Sequence, residues 1–339
     1  MSQYVKFHKW SNLRGAGDER PTAEQIVRDY GKEGGLGGRV IVLTGVSGGI
    51  GAATATALAK TGATVFCAGR DVEKMKAAVP SIVALPTIHF LALDLSSMAS
   101  VRAFAKDVLA RTETINCLIN NAGGIRVERS ETVDGFEWTL AVNYLGHFLL
   151  FNLLKERLLA SATAECPSRV VNVASMGHRH TGIVWDNLQF SGDSYNASLA
   201  YGQAKTAEIY MATEIERRWG AQHLHAWSLQ PGGVMTSNFF KDSGWSKSRI
   251  DSMEKNWPSE MFKSKEQGAA TTVWAAISDD VLAAGVRGRY LEDVAVAKPM
   301  EDTERPNLQG FAAHAYNEPL ERKLWTVTES LLEGHLQEN

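Results

Sequence analysis

The feature that most constrains this chain is an apolar run, residues 40–43, followed at once by a turn rich in glycine. The run predicts a short buried strand, and the alanine-rich residues 52–61 predict a helix directly after the turn. Gly45, Gly49 and Gly51 suit a dinucleotide site, which needs a tight bend, a close approach of the backbone to the pyrophosphate, and close packing of helix on strand. The N–H groups of the first helical turn would then face the phosphates.

Strand-like and helix-like segments alternate along the rest of the chain. This alternation indicates a parallel sheet with helices on both faces. The predicted fold class is α/β, a Rossmann-type doubly wound parallel sheet of about seven strands. The predicted strands are residues 40–43, 64–68, 88–93, 115–120, 169–174, 223–229 and 288–291. The predicted helices include residues 22–30, 52–61, 135–160, 197–219, 267–278 and 320–333, together with two whose N-caps would be Asp71 and Ser96.

We expect three regions along the 339 residues. Residues 1–37 would form an N-terminal arm with a short helix, and residues 38–297 a single Rossmann-type domain. Within that domain, residues 237–266 would cover the substrate. Residues 298–339 would form a C-terminal extension.

The composition narrows the class of protein. A net charge of −3 gives no basic surface for nucleic acid or an acidic membrane. No run approaches the roughly 18 apolar residues that a membrane span needs. Three scattered cysteines, Cys67, Cys117 and Cys166, and a polar N-terminus without a signal-peptide core predict a reduced, cytoplasmic protein. No spacing of histidine, cysteine and carboxylate predicts a metal site.

A second motif is Tyr201-Gly-Gln-Ala-Lys205. Residues four apart share one face of a helix, so the lysine ammonium would lie near the phenol and lower its pKa toward neutral pH. A solvated helix face is the alternative for this motif taken alone. In open α/β sheets, ligands bind beyond the carboxyl ends of the strands. We therefore expect one crevice to be lined by Gly45, Asn121, Ser175 and Pro231.

Together these motifs resemble, in order, those of the short-chain dehydrogenase/reductase superfamily. The resemblance rests on residues 44–51, Asp94-Leu95, residues 120–123, Asn143, Ser175, Tyr201, Lys205 and residues 231–236. Residues 142–150 and 171–178 are more similar still to the retinol dehydrogenase and WW-domain oxidoreductase branch, although this chain has no WW module. Ala174 stands where many relatives have a first serine, and the interval from Ser175 to Tyr201 is long, as in the retinol dehydrogenase branch.

The resemblance implies a role for each residue of a catalytic tetrad. Tyr201 would be the general acid in reduction and the base in oxidation. Lys205 would lower the pKa of Tyr201 and bind the nicotinamide ribose. Ser175 would bind the substrate oxygen, and Asn143 would hold a water that relays protons toward Lys205. The implied cofactor-binding residues are Gly45, Ser47, Gly49, Ile50, Gly51, Arg70, Asp94, Leu95, Asn121, Ala122, Gly123, Tyr201, Lys205, Pro231, Gly232, Val234 and Thr236.

The residues after the second strand bear on the choice of cofactor. An acid there suits the ribose 2′-hydroxyl of NAD, whereas an arginine suits the 2′-phosphate of NADP. Arg70 at this place favours NADP over NAD. Alternatively, Arg70 would pair with Asp71 or Glu73.

Aromatic residues predict an apolar substrate pocket. The expected cover carries Phe239, Phe240, Trp245, Met253, Trp257, Met261 and Phe262. The segment after the fifth strand adds Trp185, Phe190 and Tyr195, and either His178 or His180 would contact substrate. The alternative is that these side chains belong to the core or surface.

The predicted function is therefore an NADP(H)-dependent oxidoreductase that interconverts a ketone or aldehyde and an alcohol on a fairly apolar small molecule, in specialised (secondary) metabolism. One alternative is a non-redox enzyme of the same fold, an isomerase, dehydratase or cyclase. The other is a regulatory protein that only binds NADP. From the resemblance we also expect a homodimer through helices near residues 138–159 and 201–219.

Overall fold

A computed structural model describes residues 3–192, 195–235, 244–283 and 285–336. Its centre is a sheet in the order β3-β2-β1-β4-β5-β6-β7-β8, in which β8 alone is antiparallel to its neighbour. The strands are β1 Val40–Thr44, β2 Thr64–Gly69, β3 Ile88–Ala92, β4 Cys117–Asn120, β5 Ser168–Val173, β6 Leu224–Leu229, β7 Tyr290–Glu292 and β8 Ala295–Val296. The chain reverses direction across the sheet between β1 and β4, which confirms the doubly wound Rossmann-type fold.

Helices cover both faces of the sheet. The helices are α1 Ala23–Asp29, α2 Gly49–Ala59, α3 Val72–Ala78, α4 Met98–Arg111, α5 Trp138–Leu140, α6 Gly146–Ala160, α7 Ala197–Trp219, α8 Lys247–Asn256, α9 Lys265–Gly268, α10 Ala270–Ile277, α11 Glu318–Leu331 and α12 Glu333–Leu336. One core lies under α1, α2 and α10, and the other under α4, α6 and α7. Across these described residues, no helix has both the length and the apolar character needed to cross a bilayer.

Three sequence predictions were wrong in detail. The helix predicted at 135–160 is interrupted by a π-helical turn at Ala141–Leu145, in which the N–H of Gly146 bonds to the carbonyl five residues earlier. Ser97, not Ser96, caps α4 by accepting the N–H of Ser100, because the Ser96 hydroxyl donates instead to Asp94. The short strand β8 was missed, since two residues after a tight turn show no alternating pattern.

The N-terminal arm packs against the end of the expected cover and the residue that follows it. Arg20 is buried, and its guanidinium donates to the carbonyl oxygens of Glu260, Met261 and Phe262 at 2.6–3.2 Å. Gln267 donates to the carbonyl oxygens of Asp18 and Arg20. Buried charge-assisted bonds of this kind fix the arm to the end of the cover.

The C-terminal helix α11 packs on α6 and α7. Trp325 is 1% exposed and packs edge-on against Phe148, with ring centroids 4.7 Å apart. Phe151 and Trp219 complete the cluster, and the Arg218 guanidinium lies 4.6 Å from the centre of a Trp325 ring. The extension therefore covers part of the surface that was expected to form a dimer.

We expect Trp325→Ala to lower the free energy of unfolding by about 3–5 kcal/mol, because it leaves a large cavity among aromatic rings. Chemical denaturation measures the loss. Val133, which is 88% exposed, supplies the control. Val133→Ala should change the unfolding free energy by less than about 0.5 kcal/mol. An equally small loss for Trp325→Ala would mean that α11 contributes little to folding.

Candidate active site

A cavity of about 730 Å³ lies at the carboxyl ends of the parallel strands, where the sheet reverses direction. The predicted site residues that line it are Gly45, Ser47, Gly49, Ile50, Gly51, Arg70, Asp94, Leu95, Asn121, Ala122, Gly123, Ser175, Tyr201, Lys205, Pro231, Gly232 and Val234. Asn143 lies just behind the wall. Thr236 falls outside the described residues. Residues far apart in sequence therefore meet in one cleft, as expected for this topology.

The glycine turn is folded tightly on itself and packs closely against the loop after β4. Gly45 has a φ of +84°, and a Cβ there would lie 2.7 Å from the Cα of Ala122. A Cβ at Gly51 would lie 2.1 Å from the carbonyl oxygen of Gly45. The N-cap of α2 is Gly48, which has no side chain to bond the first N–H groups of the helix. These groups line the cavity and fit a pyrophosphate.

Thr44, the last residue of β1, holds the loop after β4. Its hydroxyl oxygen accepts the N–H groups of Asn121, at 3.0 Å, and Ala122, at 2.9 Å. The Asn121 amide donates back to the Thr44 carbonyl oxygen at 2.7 Å. This closed set of bonds fixes one wall of the cavity next to the glycine turn.

Two cationic side chains line the cavity beyond the end of β2. Arg70 was predicted, whereas Lys74 was missed, although it follows Arg70 by one helical turn. Asp71 also lines this end. Its carboxylate accepts the N–H of Lys74 at 3.0 Å and so caps α3.

The catalytic candidates Tyr201 and Lys205 lie on α7, which has the predicted bounds. The Lys205 ammonium lies 5.7 Å from the centre of the Tyr201 ring and donates to the carbonyl oxygen of Val173 at 2.9 Å. Ser175 lies two residues beyond the end of β5 and hydrogen-bonds the phenol. A Cβ at Gly177 would lie 2.8 Å from the phenol ring, so only glycine fits there.

Asn143 lies within the π-helical turn, fully buried. Its amide nitrogen donates to the carbonyl oxygens of Gly124, at 2.8 Å, and Thr139, at 2.7 Å, and its amide oxygen accepts the N–H of Gly124 at 3.1 Å. A Cβ at Gly123 would lie 2.6 Å from the Asn143 oxygen and 3.3 Å from the Lys205 nitrogen. Asn143 and Lys205 therefore approach each other across Gly123.

The pKa of Tyr201 corrects one expectation. Burial raises it to about 12, against the smaller lowering effect of the Ser175 hydrogen bond, and the charge of Glu208 raises it further. Burial also lowers the pKa of Lys205 to about 8, while Glu208 acts in the opposite direction. The pKa of Tyr201 is therefore raised rather than lowered as predicted, because burial has the largest effect on it. At neutral pH the phenol keeps its proton.

Beyond Tyr201 the cavity is mostly apolar. From the expected cover, Trp245, Trp257 and Phe262 line it. Phe239 and Phe240 lie outside the described residues, as does the side chain of Met253. Further lining residues that the sequence did not single out are Ile125, Trp138, Val142, Met176 and Ser198.

Several aromatic candidates have structural positions instead. Trp185 stacks under the Lys323 ammonium, and Phe190 packs edge-on against Tyr195. His178 is buried and bonds the Ser175 carbonyl oxygen at 2.7 Å, so it does not reach the cavity, whereas His180 lines it. Met261 is buried beneath the cover. Of these residues, only His180 lines the cavity.

Known proteins share this sequence and fold. The sequence model of the short chain dehydrogenase family matches residues 39–245. The short-chain dehydrogenase/reductase prx1 of Penicillium roqueforti is 44% identical over 324 residues, 94% of this chain and 92% of the relative. Retinol dehydrogenase 11 of Homo sapiens is 37% identical over 306 residues, 88% of this chain and 86% of the relative.

A solved structure, the RhlG/NADP active-site complex of Pseudomonas aeruginosa, superposes with a TM-score of 0.60 at 25% identity. The match covers 76% of this chain and 94% of that one. Fold, motifs and relatives thus agree. This chain belongs to the short-chain dehydrogenase/reductase superfamily, in its retinol dehydrogenase-like branch.

Proposed function

We propose that this protein is an NADP(H)-dependent oxidoreductase that interconverts a carbonyl group and an alcohol on a fairly apolar small molecule. The observation that carries the proposal is that Ser175, Tyr201 and Lys205 line the same cavity as the glycine turn. A proton donor and a dinucleotide cradle then share one cleft. Nothing beyond positioning and proton transfer is required of the protein, because the nicotinamide supplies the hydride.

The side chains divide the remaining work of carbonyl reduction. The Tyr201 hydroxyl gives its proton to the oxygen of the substrate as that oxygen gains negative charge. Ser175 donates to the same oxygen and holds it near the phenol. Lys205 compensates the negative charge left on Tyr201. The raised pKa of Tyr201 supports the reductive direction, since the acid form is the one present at neutral pH.

Three observations support NADP over NAD. Arg70 and Lys74 both line the end of the cavity beyond β2, where a 2′-phosphate would lie. The one acid there, Asp71, is already used as the cap of α3. A similar protein, RhlG, forms a complex with NADP.

We expect Arg70→Ala to weaken NADPH binding by about 10- to 100-fold, because it removes a charge-assisted bond to the phosphate. NADH binding should change by less than about threefold, a difference within the range of surface substitutions. Fluorescence titration measures both dissociation constants. Arg28→Ala, on the exposed side of α1, is the control. Equal losses for the two nucleotides would contradict a phosphate role for Arg70.

The apolar end of the cavity supports a sizeable substrate with a flat or aromatic body. Trp138, Trp245, Trp257 and Phe262 surround that end, and His180 and Ser198 supply its polar side chains. A substrate of specialised metabolism fits such a pocket. Three unpaired cysteines accord with a cytoplasmic location. A homodimer through α6 and α7 stays a prediction, which light scattering can test.

The proposal is tested by titrating the purified protein with NADPH and NADH, then adding a panel of apolar ketones, aldehydes and alcohols. Nicotinamide absorbance reports turnover. We expect tight NADPH binding and oxidation of NADPH by at least one carbonyl compound. Consumption of a substrate without change in absorbance would indicate a non-redox enzyme. Tight binding with no reaction of any panel member would favour a regulatory protein.

A further inference from the structure

A buried pair of ionisable side chains lies behind the active site and is not used by the proposed mechanism. His147 of α6 and Glu208 of α7 are both 0% exposed, and the His147 Nδ1 lies 3.0 Å from the Glu208 Oε1. The other ring nitrogen, Nε2, lies 3.1 Å from the Thr44 hydroxyl oxygen. The chain of contacts therefore runs from α7 to the end of β1.

Counting donors and acceptors assigns the protons in this network. The Thr44 hydroxyl oxygen already accepts hydrogen bonds from two N–H groups, those of Asn121 and Ala122. Because a hydroxyl has two acceptor sites and one hydrogen, Thr44 can only donate in a third hydrogen bond. Its acceptors are His147 Nε2 at 3.1 Å and the Ile119 carbonyl oxygen at 3.4 Å, and the ring nitrogen is the nearer.

An accepting Nε2 places the imidazole proton on Nδ1. That proton is then donated to the Glu208 oxygen at 3.0 Å, with the Asn143 carbonyl oxygen beside it at 3.2 Å. The Nδ1–H of His147 thus donates to the Glu208 carboxyl oxygen, while Nε2 accepts from Thr44. Each hydrogen bond of the network is therefore donated in the same direction, from the backbone N–H groups of the loop after β4, through Thr44 and His147, to Glu208.

Glu208 lies on the same helix as the catalytic candidates Tyr201 and Lys205. It follows Lys205 by three residues, which places it on the same side of α7. Its second oxygen has no hydrogen-bond partner among the described residues. Its charge raises the pKa of Tyr201, Lys205 and Tyr144, and His147 is its hydrogen-bond partner. Among these groups Lys205 is the cation whose charge can offset that of the buried carboxylate.

We propose that Glu208 is a positioning residue that keeps the buried Lys205 ammonium protonated, and that His147 connects Glu208 through Thr44 to the loop after β4. The effect of Glu208 on turnover rests on the proposed function, whereas its effect on the protonation of Lys205 does not. Removing the charge as Glu208→Gln keeps the shape and an oxygen that can accept from His147. Any effect on Lys205 then reflects charge rather than packing.

The sign of the effect follows from the charges. A negative charge favours the protonated form of both Lys205 and Tyr201. Without it, both groups lose their protons at lower pH. In carbonyl reduction, which needs the phenol proton, the alkaline limb of the pH profile should therefore move to lower pH in Glu208→Gln. Tyr144 is not expected to contribute, because burial raises its pKa beyond that of Tyr201.

The experiment measures protonation of Lys205 directly, without turnover. Protein labelled with ¹³C at lysine Cε is titrated by NMR, and Lys205→Arg assigns the resonance. We expect the Lys205 midpoint to fall by about one pH unit or more in Glu208→Gln, a tenfold loss of proton affinity. Glu214→Gln is the matched control, since Glu214 is also a buried acid of α7 but pairs with Arg217 and Arg218. Equal midpoints in wild type and Glu208→Gln would overturn the proposal.

If the Glu208→Gln variant does not fold, a second measurement on the wild-type protein tests the proposal. In wild-type protein labelled with ¹³C at the glutamate carboxyl, Glu208 should give the resonance of a charged carboxylate at pH 7, and a neutral carboxyl group would overturn the proposal. The turnover profile separates the two proposals. Absence of turnover in wild type would contradict the proposed function, while the midpoint of Lys205 would still decide the role of Glu208.

Discussion

Replacing Tyr201 with phenylalanine is expected to reduce turnover by about 10²- to 10⁴-fold, the contribution of a positioned general acid. The ring would keep its packing against Gly177, but the oxygen of the substrate would have no proton donor at the right place. Binding of NADPH should be nearly unchanged, because Lys205 and the glycine turn stay in place. Steady-state kinetics and fluorescence titration measure the two quantities separately.

Tyr210→Phe is the matched control for this variant. Tyr210 lies on the same helix and donates its hydroxyl hydrogen to the His314 carbonyl oxygen, away from the cavity. Loss of this hydrogen bond should lower the free energy of unfolding by about 1 kcal/mol and leave turnover near the wild-type value. Full activity in Tyr201→Phe, or an equal loss in both variants, would contradict the role of Tyr201 as the acid.

Replacing Gly51 with alanine is expected to weaken NADPH binding by at least about 100-fold, because a displaced turn loses several of the contacts that each contribute 1 kcal/mol or more. The new Cβ would lie 2.1 Å from the Gly45 carbonyl oxygen and 2.7 Å from the Asn121 amide. The Gly45 carbonyl oxygen belongs to the backbone, so the backbone of the turn has to move. Calorimetric titration measures the change in affinity.

Gly37→Ala provides the comparison, since a Cβ there meets no atom within 4 Å. This variant should bind NADPH like wild type and be at least as stable. Thermal unfolding of both variants separates lost binding from lost folding. Retention of wild-type affinity in a folded Gly51→Ala protein would contradict the placement of the pyrophosphate at the start of α2.

The sheet and the catalytic motif could be predicted from sequence because each depends on short-range patterns. The apolar runs of β1 and β5 are long enough to define buried strands, and the spacing of Tyr201 and Lys205 requires only that α7 be a helix. The expectation that several strand ends would converge followed from parallel topology. These properties are local or follow from one general rule.

What could not be predicted depends on contacts made only in the folded chain. The π-helical turn around Asn143 inserts one residue into a sequence that reads as continuous helix. The direction of the shift in the Tyr201 pKa required knowledge of its burial, which has the largest effect on it. Whether an aromatic side chain such as Trp138 or Trp185 lines the pocket or packs elsewhere has no signature in the sequence, because both positions are partly apolar.

The packing of the C-terminal extension also depends on contacts that exist only in the folded chain. The sequence predicted a short helix over residues 320–333, and α11 is present with nearly those bounds. Its partner surface was not predictable, since Trp325 could have packed on the pocket or on another subunit. In the structure it packs on Phe148 and Trp219 within the same chain.

The most direct test of the proposed chemistry follows the transferred hydrogen. The protein is given the carbonyl compound that reacts in the panel, together with NADPH carrying deuterium on one or the other face of nicotinamide C4, and the alcohol is analysed by mass spectrometry. We expect the alcohol to carry deuterium at the former carbonyl carbon with one form of NADPH and not with the other. Alcohol that contains no deuterium with either form would contradict hydride transfer in the cleft of Tyr201.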